Sequence, residues 1–257
     1  MSDPEPKTPV SPCGGSGSFP TTHWSLVLHA GDGSAIQARN ALEELCRQYW
    51  YPLYTYARRQ GRAHHEAEDC TQDFLAQLIA REGLARVRPD RGRFRTFLLT
   101  ALRNFLTNEW HRGHAAKRGG GLAPLPLEFD LAEQRFACEI PDPAMSPEQA
   151  FDRHWARSLI DRVVADLRAE YDRSGRGALF AALAPQVWSE ARAEPSTDSA
   201  SRLEMTTTAF TVALHRVRKR LGERLRIEVA QTVADDADVD AELRYLIAAL
   251  GGTTAAR

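Results

Sequence analysis

Residues 93–112, RFRTFLLTALRNFLTNEWHR, carry the side chains best suited to chemistry with a polyanion. At helical spacing Thr96, Thr100, Arg103, Asn104, Thr107 and His111 fall on one face, and none of them is an acid. Arginine donates to phosphate oxygens and asparagine pairs with base edges, so this face suits a nucleic acid. Trp110 and the cations of the preceding loop, Arg91 and Arg93 among them, lie close in sequence. Aromatic rings among cations are where unpaired bases stack. On the opposite face Phe94, Phe97, Leu98, Ala101, Leu102 and Phe105 form an apolar stripe that a core must cover.

A second stretch has the same character. In TTTAFTVALHRVRKRLGERLR, residues 206–226, the stripe is Phe210, Ala213, Leu214, Val217, Leu221 and Leu225. Thr207, Thr208, Thr211, His215, Arg216 and Lys219 lie on the polar side, with Val212 and Arg218 beside them. Small hydroxyls in the first turn with cations behind them fit a helix whose N-terminus enters a major groove. Periodicity alone leaves a second reading open, an amphipathic helix with a solvated basic face.

Other candidates are weaker. Asp69 and Asp73, four residues apart, share a helix face as metal-binding or acid–base carboxylates do. No third ligand or base accompanies them, and the helix dipole accounts for an acid in the first turn. With Gln72 and Gln77 they read instead as a solvated or partner-docking face. The pairs His64–His65 and His111/His114 lack the i, i+4 spacing with a further ligand that zinc sites show, so capping or phosphate contact is expected. There is no GxxxxGK[ST], GxGxxG or GxSxG. No catalytic residue, metal or cofactor is implied.

Charge points the same way. The chain of 257 residues has a formal net charge of -1, which conceals alternating blocks. From Arg86 to Arg118 nine Lys/Arg face only Asp90 and Glu109, and from His215 to Arg226 six face only Glu223. Leu122–Ala150 has six acids against Arg135, and Ile227–Leu250 six against Arg244. Each basic block suits a polyanion. No apolar run of about 18 residues exists to span a membrane, and no secretion signal is read at the N-terminus. Cys13, Cys46, Cys70 and Cys138 are scattered and form no CxxC pair, which reads as small buried thiols in a reducing cytoplasm.

These faces need helices to hold them, and the pattern predicts an all-α chain. Residues 1–18, rich in Pro, Gly and Ser, read as a disordered tail. Thr21 or Thr22 caps a short helix carrying Trp24, Val27 and Leu28. A long helix is predicted over 35–59, kinked or broken at Pro52 and closed by Gly61. The next, 65–80, turns Phe74, Leu75, Leu78 and Ile79 inward and Asp69, Gln72, Asp73 and Gln77 outward. Residues 116–146, with Gly119–Gly121 and repeated prolines, read as a flexible acidic linker. Ser146 and Pro147 then open a helix to about Asp172, with Phe151, Trp155, Leu159, Val163, Leu167 and Tyr171 at steps of four. Another helix runs through Trp188, and two close the pattern at 197–203 and 207–229. The expected organisation is two small helical domains, 19–115 and 147–230, followed by an acidic C-terminal extension, 231–257. That extension is expected to dock on the basic helix before it and block DNA.

The order of these features resembles a bacterial sigma factor of the extracytoplasmic-function type, a group that keeps only domains two and four. AEDCTQDFLAQLI at 67–79 resembles the helix that docks on the clamp coiled coil of RNA polymerase. GRFRTFLLTALRNFLTNEWHR at 92–112 resembles the promoter-melting and minus-ten-reading helix. TTTAFTVALHRVRKRLGERLR at 206–226 resembles the second helix of the domain-four helix-turn-helix, which reads the minus-thirty-five element. FPTTHWSLVL at 19–28, QYWYPLYTYARRQG at 48–61 and AELRYLIAAL at 241–250 look like features of a subgroup with a C-terminal extension.

The resemblance implies a cytoplasmic, non-enzymatic initiation factor whose partners are core RNA polymerase, through clamp and flap, and promoter DNA. An anti-sigma partner is neither required nor excluded. Asp69, Gln72, Asp73 and Gln77 would meet the clamp. Arg91, Arg93, Thr96, Arg103, Asn104, Thr107 and Trp110 would lie near melted strand, with the loop Arg86–Arg93 closing over a flipped base. Thr207, Thr208, Thr211, His215, Arg216 and Lys219 would contact the upstream duplex. One departure stands out in STDSASRLEM, 196–205. Ser196 and Ser199 replace larger apolar residues, and Glu204 stands where the turn has Gly, so a positive φ there costs roughly 1–2 kcal/mol. A stand-alone helix-turn-helix regulator remains the alternative, and a metal-dependent nuclease built on Asp69 and Asp73 a third.

Overall fold

The computed structural model describes residues 35–80, 93–112, 127–139, 144–188 and 197–251. Every regular element among them is a helix. In chain order these are α1 Ala35–Arg59, α2 His64–Ala80, α3 Phe94–Arg112, α4 Phe129–Cys138, α5 Pro147–Arg173, α6 Gly177–Val187, α7 Thr197–Arg202, α8 Thr207–Ala230 and α9 Val239–Leu250. A 3-10 turn at Asp236–Asp238 precedes α9. Arg93 and Val233 form an isolated antiparallel bridge. The expected tail, the helix near Trp24 and the loop 81–92 lie outside the described residues.

Helix α1 runs through Pro52, where the sequence predicts a kink or break. An interior proline removes one backbone donor and crowds the preceding turn. Here residues 51–57 are all buried, and the Thr55 hydroxyl donates to the Pro52 carbonyl at 2.9 Å. Packing overrides the local penalty, and Gly61 at φ +87° ends the run as expected. Helix α5 starts at the predicted cap. The Ser146 hydroxyl accepts from the Gln149 N–H at 3.2 Å, and the Gln149 side chain accepts from the Ser146 N–H at 2.9 Å. After Pro147 in the first turn, no Gly or Pro interrupts its 27 residues.

Two buried clusters share α5. The first joins Cys46, Tyr49 and Leu53 of α1, Phe74 and Leu75 of α2, Phe94, Leu98 and Leu102 of α3, Phe151, Trp155 and Leu159 of α5, and Val239 and Leu246 of α9. Tyr49 stacks on Trp155 with ring centroids 3.8 Å apart. The second joins Val163, Leu167 and Tyr171 of α5, Phe180 and Leu183 of α6, and Phe210, Leu214, Val217 and Leu221 of α8. Each large apolar side chain so buried contributes roughly 1.5–3 kcal/mol.

Two expectations are corrected. Part of the stretch read as linker is helix α4, laid on α1 and α2. Phe129 sits 4.7 Å from the Trp50 ring, Arg58 makes two hydrogen bonds to Glu133, at 3.0 and 2.7 Å, and the Tyr51 hydroxyl donates to Glu139 at 3.1 Å. Its acids are thus answered partly from within the chain. Burial pushes the Glu133 and Glu139 carboxyls up, but donors outweigh it and leave both below the usual range. The donors are Tyr54 and Arg58 for Glu133, and His154 and Tyr51 for Glu139. The acidic extension is the second correction. Its helix α9 is part of the first core, and it reaches the basic helix α8 through Arg226, whose guanidinium lies 2.5 Å from Asp240. The N-terminal face of α8 stays exposed. Cysteines also divide: burial, with Glu43 second, pushes the Cys46 thiol up, whereas Cys138 at the end of α4 is exposed.

Candidate nucleic-acid interface

Helix α3 presents the polar face that its sequence predicts. Thr96, Thr100, Arg103, Asn104 and Thr107 are exposed, while Phe94, Leu98, Leu102 and Phe105 are buried. The Thr107 hydroxyl bonds back to the Arg103 carbonyl at 2.9 Å. Arg103, Leu106 and Thr107 line an open cleft of about 550 Å³ with Tyr56, Arg62, Glu66 and Glu148. The Trp110 and His111 side chains, and all of Arg91, lie outside the described residues.

The root of α3 is pinned. The Phe94 N–H donates to the Thr232 carbonyl at 2.8 Å. Arg93, expected to contact DNA, faces the protein instead: its Nε lies 2.8 Å from the buried Glu242 carboxylate, and its guanidinium lies 5.8 Å from the Tyr245 ring. Arg95, to which the sequence reading gave no role, is the centre of this cluster. Its Nε donates to Glu242 at 2.5 Å and its Nη1 to Asp152 at 2.6 Å. It lies 4.1 Å from the Tyr245 ring, and the Tyr245 hydroxyl donates to Asp152. Burial alone would push the Arg95 guanidinium down, but Glu242 and Asp152 reverse this and hold it charged. Two cations and two acids therefore cancel where α3, α5 and α9 meet. The signal was present in the sequence. Arg95 stands three and seven residues before Leu98 and Leu102, in the register of the apolar stripe.

On α2, Asp69 and Asp73 are exposed and Gln72 and Gln77 half-buried, while Ala67, Phe74 and Leu75 point into the core. Asp69 and Asp73 face outward as predicted, whereas Gln72 and Gln77 are no more exposed in class than Leu78 and Ile79, which the sequence turns inward. His64, His65 and Glu68 bring ligand-capable atoms within 4.8 Å of one another, but the His64 ring is tied to α1 by the Tyr54 hydroxyl at 2.8 Å.

The second DNA-facing candidate is α7 and α8 with the turn between them. Glu204 takes φ +53°, the strained conformation foreseen for the residue in the glycine position. The Thr206 hydroxyl caps α8 by accepting from the Ala209 N–H at 3.2 Å. Thr207, Thr208, Thr211, His215, Arg216 and Lys219 are all exposed. Further along, the cations turn inward. Arg218 donates to the Val187 and Gln186 carbonyls at the end of α6, at 3.1 and 2.7 Å. Arg220 and Arg224 pair with Glu170.

Comparison with known families bears on the central part of the chain. Residues 45–115 match sigma-70 region 2. The match takes in the second half of α1, all of α2 and all of α3, the helices that carry both the acidic face and the first candidate DNA surface. It supports a sigma-70 family member that binds RNA polymerase and recognises promoters. No curated protein and no solved structure matches the chain. Among the described residues no helix is long and apolar enough to cross a membrane.

Proposed function

We propose that the chain is a cytoplasmic sigma factor of the extracytoplasmic-function type. The α2 face of Asp69, Gln72, Asp73 and Gln77 docks on the polymerase clamp. Helix α3 reads the minus-ten element with Arg103, Asn104 and Thr107, and Trp110 stacks on separated bases. Extruding a base costs a few kcal/mol, which stacking and polar contacts must offset. Helix α8 enters the major groove of the minus-thirty-five element with Thr207, Thr208 and Thr211 leading and His215, Arg216 and Lys219 behind. An anti-sigma partner, where one exists, would cover these faces.

The observation that carries this reading is the region 2 match on the very helix whose exposed side holds Arg103, Asn104 and three threonines and, among the described side chains, no acid. Its test is transcription by core polymerase plus the purified chain on a pool of genomic fragments. Specific transcripts are expected, and Arg103→Ala with Asn104→Ala should abolish open complexes while core binding persists. A double variant that melts promoters normally overturns the role of α3. A stand-alone helix-turn-helix regulator predicts instead that the free chain protects a duplex site and never co-purifies with polymerase.

A further inference from the structure

We infer that the start of α2, together with one residue of α4, forms a binding site for a zinc-class divalent metal ion, held by His64, His65, Glu68 and Asp130. In the sequence alone His64 and His65 have no further ligand at zinc spacing. The fold supplies one from α4, in the stretch read as linker. The site goes beyond the proposed function and does not depend on it.

Donors come from two helices. His64, His65 and Glu68 bring ligand-capable atoms within 4.8 Å of one another. The His65 Nδ1 lies 3.7 Å from a Glu68 carboxylate oxygen, and the two imidazole centroids are 4.9 Å apart. Asp130, in the first turn of α4, sets a carboxylate oxygen 3.8 Å from the His64 Nε2. Around a tetrahedral zinc with bonds of about 2.0–2.1 Å, donors sit about 3.3 Å apart. The His65–Glu68 and His64–Asp130 pairs therefore need to close by only about 0.5 Å. The side chains of His65 and Asp130 are 89% and 97% exposed, so both are free to rotate onto an ion.

His64 already has the tautomer of a metal ligand. The Tyr54 hydroxyl gives its proton to Glu133. Its 2.8 Å contact with the His64 Nδ1 is therefore one in which the ring donates. The free lone pair then stands on Nε2, the atom that faces Asp130. A ligating histidine is held by this kind of bond from its other nitrogen, which fixes the ring and raises its basicity. Arg58 anchors Glu133 in turn, at 3.0 and 2.7 Å.

Donor chemistry selects the ion. Two imidazoles with two carboxylates suit zinc and its first-row neighbours, whereas calcium and magnesium take oxygen ligands. The N-terminus of a helix repels a cation. Glu66 and Glu68 of α2 and Asp130 and Glu133 of α4 supply the opposing charge. A bound ion ties α4 to α2 beside the Asp69–Asp73 face.

The test is titration of the untagged full chain with cobalt(II), read by visible absorption, and with zinc in competition against a chromogenic chelator. One equivalent of either ion is expected, with a dissociation constant of about 1 μM or tighter and the intense cobalt bands of a four-coordinate site. His65→Ala and Asp130→Asn change exposed side chains and should keep the wild-type thermal melt. Each should weaken binding by about tenfold or more. Zinc should also slow amide exchange of residues 129–138 in the wild type but not in Asp130→Asn. No complex with either ion at about 100 μM overturns the site. Binding that His65→Ala leaves untouched places the ion elsewhere and overturns it too, and binding untouched by Asp130→Asn overturns the bridge to α4. None of these measurements involves polymerase or DNA, so failure here leaves the sigma-factor reading standing.

Discussion

Replacing Glu242 with Ala removes the acid that both Arg93 and Arg95 address. The Glu242 side chain is 1% exposed and that of Arg95 7%, so neither charge is screened by water. Taking one partner from a buried ion pair typically costs about 3–5 kcal/mol, because the remaining charge keeps its desolvation penalty and loses its compensation. Asp152 remains beside Arg95, at 2.6 Å, which places the expected loss near the lower bound, about 3 kcal/mol. For a chain of this size that lowers the melting temperature by roughly 6–12 °C. The assay is urea unfolding monitored by helix signal, with a double-mutant cycle. Glu242→Leu and Arg95→Met alone should each be strongly destabilising, whereas the double substitution should cost less than the summed loss, though Asp152 and Arg93 each lose a partner in it. Losses below about 1 kcal/mol for the single variants, or strict additivity, would show that the cluster does not hold α9 to α3.

Other outcomes follow from the same structure. Glu204→Gly relieves a positive φ worth roughly 1–2 kcal/mol but adds backbone freedom in the unfolded chain, so it should stabilise by about 0.5–1 kcal/mol; an unchanged or lowered melting temperature would contradict this. The carboxyls of Glu133 and Glu139 are depressed in the folded chain. Their contribution is complete above the ordinary value of 4.5 and disappears as pH falls through the folded values. Amide protection of residues 129–138 should accordingly drop between pH 6 and about pH 3.5 after correction for intrinsic rates, and equal protection at both would argue against the attachment. Lys219→Ala should reduce the salt dependence of upstream-duplex binding by about one in log–log slope without altering sequence preference; an unaltered slope would remove Lys219 from the contact.

The two amphipathic helices α3 and α8 were legible because burial on one side and solvent on the other impose the 3.6-residue period directly on the sequence. The strain at Glu204 was foreseen from the family resemblance, which places Gly at that turn. What escaped was long-range. Arg95 and Glu242 are 147 residues apart, and no local pattern connects them. Composition also misled. The prolines around 124–143 disguised α4, a ten-residue helix whose stability comes from Trp50, Tyr54 and Arg58 rather than from its own propensity. The acidic extension looked like a counter-charge for α8, whereas Val239, Leu246 and Ala249 make it a piece of core. Net charge shows that a segment seeks cations without showing which.

The central claim is that this chain docks on RNA polymerase through α2. Its most direct test is the titration of purified core polymerase with the labelled full-length chain, alongside a variant carrying Asp69→Lys and Asp73→Lys. The account predicts a saturable complex of about micromolar affinity or tighter that the charge reversal weakens at least tenfold with the fold intact. No complex, or one indifferent to the reversal, would contradict it.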